Sequence, residues 1–275
     1  MMGQPGRPYS TGLELVLNAA EGALQILITE NGRRRAFEEW HEPNRATELL
    51  APALQGMCAA LGVAPAAFRR IACVAGPGSF TGIRLVLATA AALRRVGRAQ
   101  LAGLDYLQAL ATSAVMRRGL LYPAAVMVVT HARRDLVHYR PFRSYGPVIP
   151  AQPLSPVELL SPGEALARLA GEPCHVCGSG LARHPRYFAP EATGRGPAGA
   201  PRAVVMPELV DPDAAALALL ARHGDYFPKD IEPAYVRPCD ATENLAELAA
   251  RQGMDGKRAV AALHDLLGRA PQSRD

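Results

Sequence analysis

One stretch limits the architecture more than any other. The apolar run Ile71-Ala72-Cys73-Val74-Ala75 passes into Gly76-Pro77-Gly78-Ser79-Phe80-Thr81-Gly82-Ile83-Arg84, then into a long apolar segment from Leu85 to Val96. The first run reads as a buried strand and the last as a helix, so three glycines and a proline stand at a strand-to-helix turn. Glycine tolerates backbone angles and close approaches that a Cβ forbids. Ser79 or Thr81 can cap the helix by accepting hydrogen bonds from its first free N–H groups. A turn of this kind either cradles an anion or brings two backbones into tight contact. No Lys-Ser or Lys-Thr pair follows it, so it is not a Walker loop, and glycines at 76, 78 and 82 do not fit the dinucleotide spacing Gly-x-Gly-x-x-Gly.

The rest of the chain alternates strands and helices around that turn. Leu13 to Leu17 and Ala23 to Thr29 read as strands, and Asn31-Gly32 is a hairpin signal leading into Arg33 to Trp40. Leu50, Leu54, Met57 and Leu61 recur at helical spacing, and Gly62 ends that helix. A short strand from Gln100 to Gly103 precedes a helix that Asp105 can cap and that ends near Met116. The pattern then restarts with strands at Ala124 to Thr130 and Leu136 to Phe142, about 110 residues after the first pair. One or two short helices are expected within 156–171, a strand at His175 to Gly178, a long loop at 184–202 and a helix from Asp211, its cap, to His223. Two further helical stretches, 242–252 and 256–268, follow Pro238; the stripe Val260, Leu263, Leu266 and Leu267 on the second needs cover from this protein or from a partner. The fold class expected is α/β with two related lobes, 1–118 and 119–238, and a helical extension, 239–275.

With 275 residues, 49% of them hydrophobic, the chain can bury a sizeable core. No stretch of about 20 uncharged apolar residues occurs and the first ten residues lack a signal-peptide core, so cytoplasmic residence and no membrane contact are expected. Five cysteines follow no disulfide pattern, and Cys174-x-x-Cys177, the one close pair, reads as buried thiols in a strand. The formal charge of +5 permits contact with nucleic acid without requiring it. Seven histidines show no His-x-x-x-His spacing, so no metal site is assigned.

The nonamer at 76–84 resembles the signature of the TsaB (YeaZ) family, the non-catalytic partner in bacterial tRNA threonylcarbamoyladenosine synthesis. Further motifs agree with it. Leu49, Leu50 and Pro52 follow Ala46-Thr47, where the family has a His-Ser/Thr pair; Gly178-Ser179-Gly180 is similar to its second glycine turn; and Glu232-Pro233-Ala234-Tyr235-Val236-Arg237 matches Glu-Pro-x-Tyr-x-Arg in full. The likeness runs from about residue 13 to 238. Departures fall where an actin-like or sugar-kinase-like fold handles nucleotide: Asn18-Ala19-Ala20 stands for an Asp-Thr-type turn, and His131-Ala132-Arg133 for Asp-Ala-Arg. Asn18 keeps an oxygen but not the charge that Mg²⁺ prefers.

The resemblance implies an actin-like (ASKHA) fold and a scaffold or activator role, with no catalytic residue and no cofactor of its own. It implies pairing with the catalytic paralogue TsaD, joined by the ATPase TsaE, for threonylcarbamoyl transfer to adenosine 37 of tRNAs reading ANN codons. ATP and a metal are then expected in the partner complex, tRNA contact only within it, and a homodimer when the chain is alone. A helix apolar nearly all round needs cover on every side, so Ile83, Val86, Leu87 and Ala90, with Leu50, Leu54, Met57 and Leu61 beside them, are the expected partner interface. A charge at Val86 or Ala90 is then expected to abolish pairing. Asn18, Gly178, Ser179 and Gly180 are the positions nearest any bound phosphate. Two other classes stand beside this reading. One is an independent actin-like ATPase or phosphotransferase using the two glycine turns as phosphate loops. The other is a peptidase, for which Ser79 and Thr81 are nucleophiles without a visible His/Asp pair.

Overall fold

The computed structural model describes residues 12–42, 44–133, 135–169, 172–189 and 203–234, with 236, 249, 255 and 258 as isolated positions. β1 (Leu13–Asn18) pairs antiparallel with β2 (Leu24–Glu30), which turns into β3 (Arg33–Trp40). Asn31 and Gly32 at that turn both take positive φ, 51° and 75°, as a two-residue hairpin between right-twisted strands requires. α1 (Ala46–Leu61) stops at Gly62 in the left-handed region, φ 65°. β4 (Phe68–Gly76), α2 (Phe80–Gly97) and β5 (Gln100–Asp105) follow, and complete a sheet of order β3-β2-β1-β4-β5 with β4 parallel to both β1 and β5.

The second half repeats the plan. β6 (Ala125–Arg133) pairs antiparallel with β7 (Leu136–Arg143), which is flanked by β8 (Gln152–Pro153) and β9 (Glu158–Leu160); β10 (Cys174–Cys177) and β11 (Ala203–Met206) lie parallel on the other side of β6. In each sheet the first strand has its antiparallel return on one flank and two parallel strands on the other. The two-lobed α/β architecture expected from the element order is therefore present in the topology.

Helices fill three layers around the sheets. α1 and α2 cover the outer face of the first sheet. α4 (Pro162–Arg168), α5 (Ser179–Arg183) and α6 (Pro185–Phe188) cover the outer face of the second, around Met127, Val129, Val176 and Phe188. Between the sheets lie α3 (Tyr106–Arg118) and α7 (Ala214–His223), in one core cluster with Val126, Val128, Cys177 and the first sheet. From Tyr106 to Val115 every residue of α3 except Gln108 is buried; a helix packed on both sides has no polar face to keep. Its Asp105 cap accepts from the Gln108 N–H at 2.9 Å, as the sequence led one to expect.

Three expectations need correction. Residues 156–169 hold one of the short helices expected and, in addition, a strand that was not, because Glu158 to Leu160 pair with β7 and Ser161 starts α4 with a full capping box. α2 begins at Phe80, five residues before Leu85, since Ser79 is its cap. Asp213, not Asp211, occupies the cap position of α7, and Asp211 turns inward to the Tyr106 hydroxyl. Part of the loop expected at 184–202 forms α6; residues 190–202, the helices expected beyond 238, and Tyr235 and Arg237 of the last motif lie outside the described residues.

Candidate functional site

The glycine turn makes its choice between anion and backbone at atomic range. A Cβ on Gly78 would overlap the Ala20 carbonyl oxygen, and one on Gly82 the Ala19 carbonyl oxygen. The Ser79 N–H donates to Ala20 O at 2.6 Å, while the Ser79 hydroxyl accepts from the Gly82 N–H at 3.2 Å. On the other flank the Ala234 N–H donates to Ala75 O at 2.8 Å, and a Cβ on Gly76 would meet Ala234 O at 2.6 Å. The nonamer thus locks the loop after β1 and the Glu232-Pro233-Ala234 segment onto one turn. The second glycine turn repeats the device, with Gly178 and Gly180 both pressed against Val129 O in the middle of β6. Carbonyl oxygens fill the space over these glycines, and they repel phosphate. Close packing is the role of both turns.

A second constellation joins the two sheets. The Glu21 carboxyl, in the turn after β1, meets the hydroxyls of Ser179 and Tyr106 and faces Asp211 and Arg183. Tyr106, wholly buried, donates to Val210 O at 3.0 Å or Asp211 Oδ1 at 3.2 Å. Burial, with Asp211 beside it, pushes the Glu21 carboxyl up to about 8. Burial likewise raises Asp211, against the pull of the Tyr106 hydroxyl and of His41, 3.7 Å away. Ser179 Oγ also accepts from the His131 N–H at 2.9 Å. The His131 ring stands 6.1 Å from that of His184, and its buried Nδ1 and the His184 Nε2 have no hydrogen-bond partner among the described residues. Desolvation and the neighbouring Arg183 and His184 hold the His131 ring below its ordinary value, hence neutral near pH 7.

This cluster does not suit a magnesium-bound phosphate. Asn18 is fully buried and uses both ends of its amide, Nδ2 to Gln25 Oε1 at 2.8 Å and Oδ1 from the Ala20 N–H at 3.0 Å. Burial disfavours the ionised form of the Glu21 carboxyl, whereas Mg²⁺ wants ionised oxygen. The positions expected nearest a phosphate, Asn18, Gly178, Ser179 and Gly180, spend their polar atoms and open space on the fold itself. Glu21, Tyr106 and His184 were not singled out in the sequence and Asp211 was read only as a helix cap; an acid in the turn directly after an apolar strand and another in an apolar approach to a helix were the available signals.

The helix residues expected to meet a partner also need correction. Ile83, Val86 and Ala90 are completely buried, and Leu87, Leu50, Leu54 and Met57 nearly so, inside the single chain. They form the layer between α1, α2 and the first sheet, and Leu61 packs against the same core. What faces outward is different: Ala51, Gln55, Gly56, Ala59 and Ala60 on α1, and Thr81, Arg84, Ala88, Ala92 and Arg95 on α2. Arg84 lies 4.0 Å over the half-exposed Phe80 ring at the start of α2.

Comparison with known proteins gives the family context. Residues 44–168 match the model of the TsaD family, tRNA N6-adenosine threonylcarbamoyltransferase. No curated relative matches the sequence. Among solved structures, the chain is similar to an uncharacterized protein with similarity to peptidase YEAZ from Pseudomonas aeruginosa, at 20% identity and TM-score 0.67, over 82% of this chain and all of that one. It is equally similar to YeaZ from the same organism, at 21% identity and TM-score 0.66, over 82% of this chain and all of that one. The resemblance read from the motifs is borne out by the family model and by the fold. No helix among the described residues is long and apolar enough to cross a membrane.

Proposed function

We propose that this chain, matched by the TsaD family model and built on the YeaZ fold, serves in tRNA threonylcarbamoyladenosine synthesis as a non-catalytic subunit. In this reading it pairs with the catalytic paralogue TsaD, joined by the ATPase TsaE, and supports threonylcarbamoyl transfer to adenosine 37 of tRNAs reading ANN codons. The observation that carries it is the packing where phosphate would be held: Asn18 is bonded internally and both glycine turns are plugged by carbonyl oxygens, while burial disfavours an ionised Glu21 beside them. A chain so furnished contributes surface and leaves metal-assisted chemistry to its partner. The same residues argue against an independent ATPase or phosphotransferase.

The surface offered is the outward side of α1 and α2, where Ala51, Gly56, Ala59, Ala88 and Ala92 are exposed. Short side chains on two adjacent helices let a partner helix approach closely, so most of the affinity comes from packing and apolar burial, about 25 cal/mol per Å² before association costs. An arginine at such a position blocks approach without touching the core. Ala88→Arg is therefore expected to keep the wild-type melting temperature and lose co-purification with the catalytic paralogue. Threonylcarbamoyl transfer reconstituted from the paralogue and the ATPase is expected to need this chain and to fail with the variant. Transfer at full rate without this chain refutes the reading; full-rate transfer with Ala88→Arg refutes the assigned face alone.

A further inference from the structure

Away from α1 and α2, five of the large hydrophobic side chains that the described chain exposes gather on two neighbouring connections. Leu121 (69% exposed) and Tyr122 (65%) lie between α3 and β6, and Tyr145 (48%), Val148 (74%) and Ile149 (41%) between β7 and β8. The two connections are tied together. Ser144 donates from its N–H to Ala124 O at 2.9 Å and from its hydroxyl to Leu120 O at 2.8 Å, and the rings of Tyr122 and Tyr145 stand 5.1 Å apart. The Ala151 N–H donates to Thr112 Oγ1 at 3.1 Å, which anchors the end of the second connection on α3. An exposed apolar group on pinned backbone is preorganised for contact, and a contiguous patch of this kind marks an interaction site.

Charge identifies the occupant. Residues 116–124 and 143–151 hold Arg117, Arg118 and Arg143 and no acidic residue. Arg117 is bonded to Asp213, and Arg143 to Glu172 and to Pro123 O under the patch. Arg118 is exposed and bonded to no carboxylate among the described residues. A two-fold pairing of this patch with itself would bring two copies of Arg118 to one axis with no acid on either connection to answer them. A nucleic acid could stack on the tyrosines, but would leave Leu121, Val148 and Ile149 without apolar cover and find two of three arginines already engaged. Tyrosine and arginine around aliphatic anchors, with acids excluded, is the composition of a protein-binding surface.

We propose that the Leu121–Tyr122 and Tyr145–Ile149 connections form a docking surface for an acidic segment of a different protein, one that lays apolar side chains against the paired tyrosines, Leu121 and Val148 and places carboxylates on Arg118. The surface is separate from the α1–α2 face and stands whether or not the chain pairs with a threonylcarbamoyl transferase.

The test is selection of a random 12-residue phage-displayed peptide library on the full-length protein, with Tyr122→Ser/Val148→Ser as the counter-selected bait. The expected consensus places two or more Asp or Glu around Leu, Phe or Trp. The synthetic consensus peptide is expected to bind with a Kd that rises at least tenfold for Arg118→Glu and for Tyr122→Ser/Val148→Ser. Because these side chains are exposed, both variants are expected to keep the wild-type melting temperature. Four results overturn the proposal: no enrichment over the counter-selected bait; a neutral or basic consensus; oligouridylate binding that the same variants abolish, which assigns the patch to nucleic acid; or concentration-dependent self-association lost in Val148→Ser, which assigns it to a second copy.

Discussion

Replacing Glu21 by Gln removes one titratable group from the junction between the sheets and keeps its size and its capacity for hydrogen bonds with Ser179 and Tyr106. The sign of the effect follows from proton counting. The Glu21 carboxyl has its midpoint at about 8 in the fold against 4.5 ordinarily. Between those values the native chain keeps a proton that the unfolded chain has released, so stability falls as pH rises through the window and the full cost is present above pH 8. A displacement from 4.5 to about 8 corresponds to roughly 5 kcal/mol at 1.36 kcal/mol per tenfold change in equilibrium. Glu21 keeps partial contact with water, which recovers much of that, and about 1–2 kcal/mol is the expected penalty at pH 8.5. Glu21→Gln should match wild type near pH 4.5 and melt about 2–8 °C higher at pH 8.5, given about 2–4 °C per kcal/mol for a chain of this size. Thermal melts by circular dichroism from pH 4.5 to 9 check it. Parallel curves for the two proteins across that range, or a variant less stable at pH 8.5, refute the reasoning, because a carboxyl that ionises normally leaves no pH-dependent difference.

Other perturbations separate packing from binding. Gly82→Ala drives a Cβ into the Ala19 carbonyl oxygen and is expected to cost about 3 kcal/mol in chemical denaturation, as overpacking against backbone does. Val86→Glu buries an unpaired charge against the first sheet; at about 3–5 kcal/mol it consumes much of the stability of an ordinary domain, so the soluble yield should collapse before any partner is added. The thiols give a labelling test. Burial pushes Cys174 up to about 11 and Cys177 to about 12, and raises Cys73 and Cys58 as well. None of the four should react with iodoacetamide at pH 8 until guanidinium unfolds the chain, as mass spectrometry of the peptides would report.

The sequence exposed whatever local chemistry decides. Asn31-Gly32 demanded a tight hairpin, Gly62 a helix end and Asp105 a cap, and all three sit where their backbone angles or hydrogen bonds require. Long-range placement was harder to read. α2 looked like the helix in need of two covers because Leu85 to Val96 is so apolar, yet its alanines are split between a buried and an outward side. α3 is the helix covered all round, and Thr112, Ser113 and Gln108 disguised it by bonding Ala151, Ala109 and Asp213. Cys174 and Cys177 are the buried strand thiols expected, but the sequence did not show that, three residues apart, they face opposite sides, one in each core cluster. The junction of Glu21, Tyr106 and Asp211 draws on three segments about 85 and 105 residues apart, and no periodicity reports such a meeting.

Because α3 is clasped from both directions, the chain has lost the freedom of a jaw. Gln108 and Thr112 fasten α3 to Ala151, Ser113 fastens it to Asp213, Tyr106 to Val210, and the Arg140 guanidinium spans to Asp105 at its start. Swinging the halves apart would break these bonds together and wet the alanine-lined seam beneath them. A molecule braced in this way holds its outer surfaces at a fixed spacing.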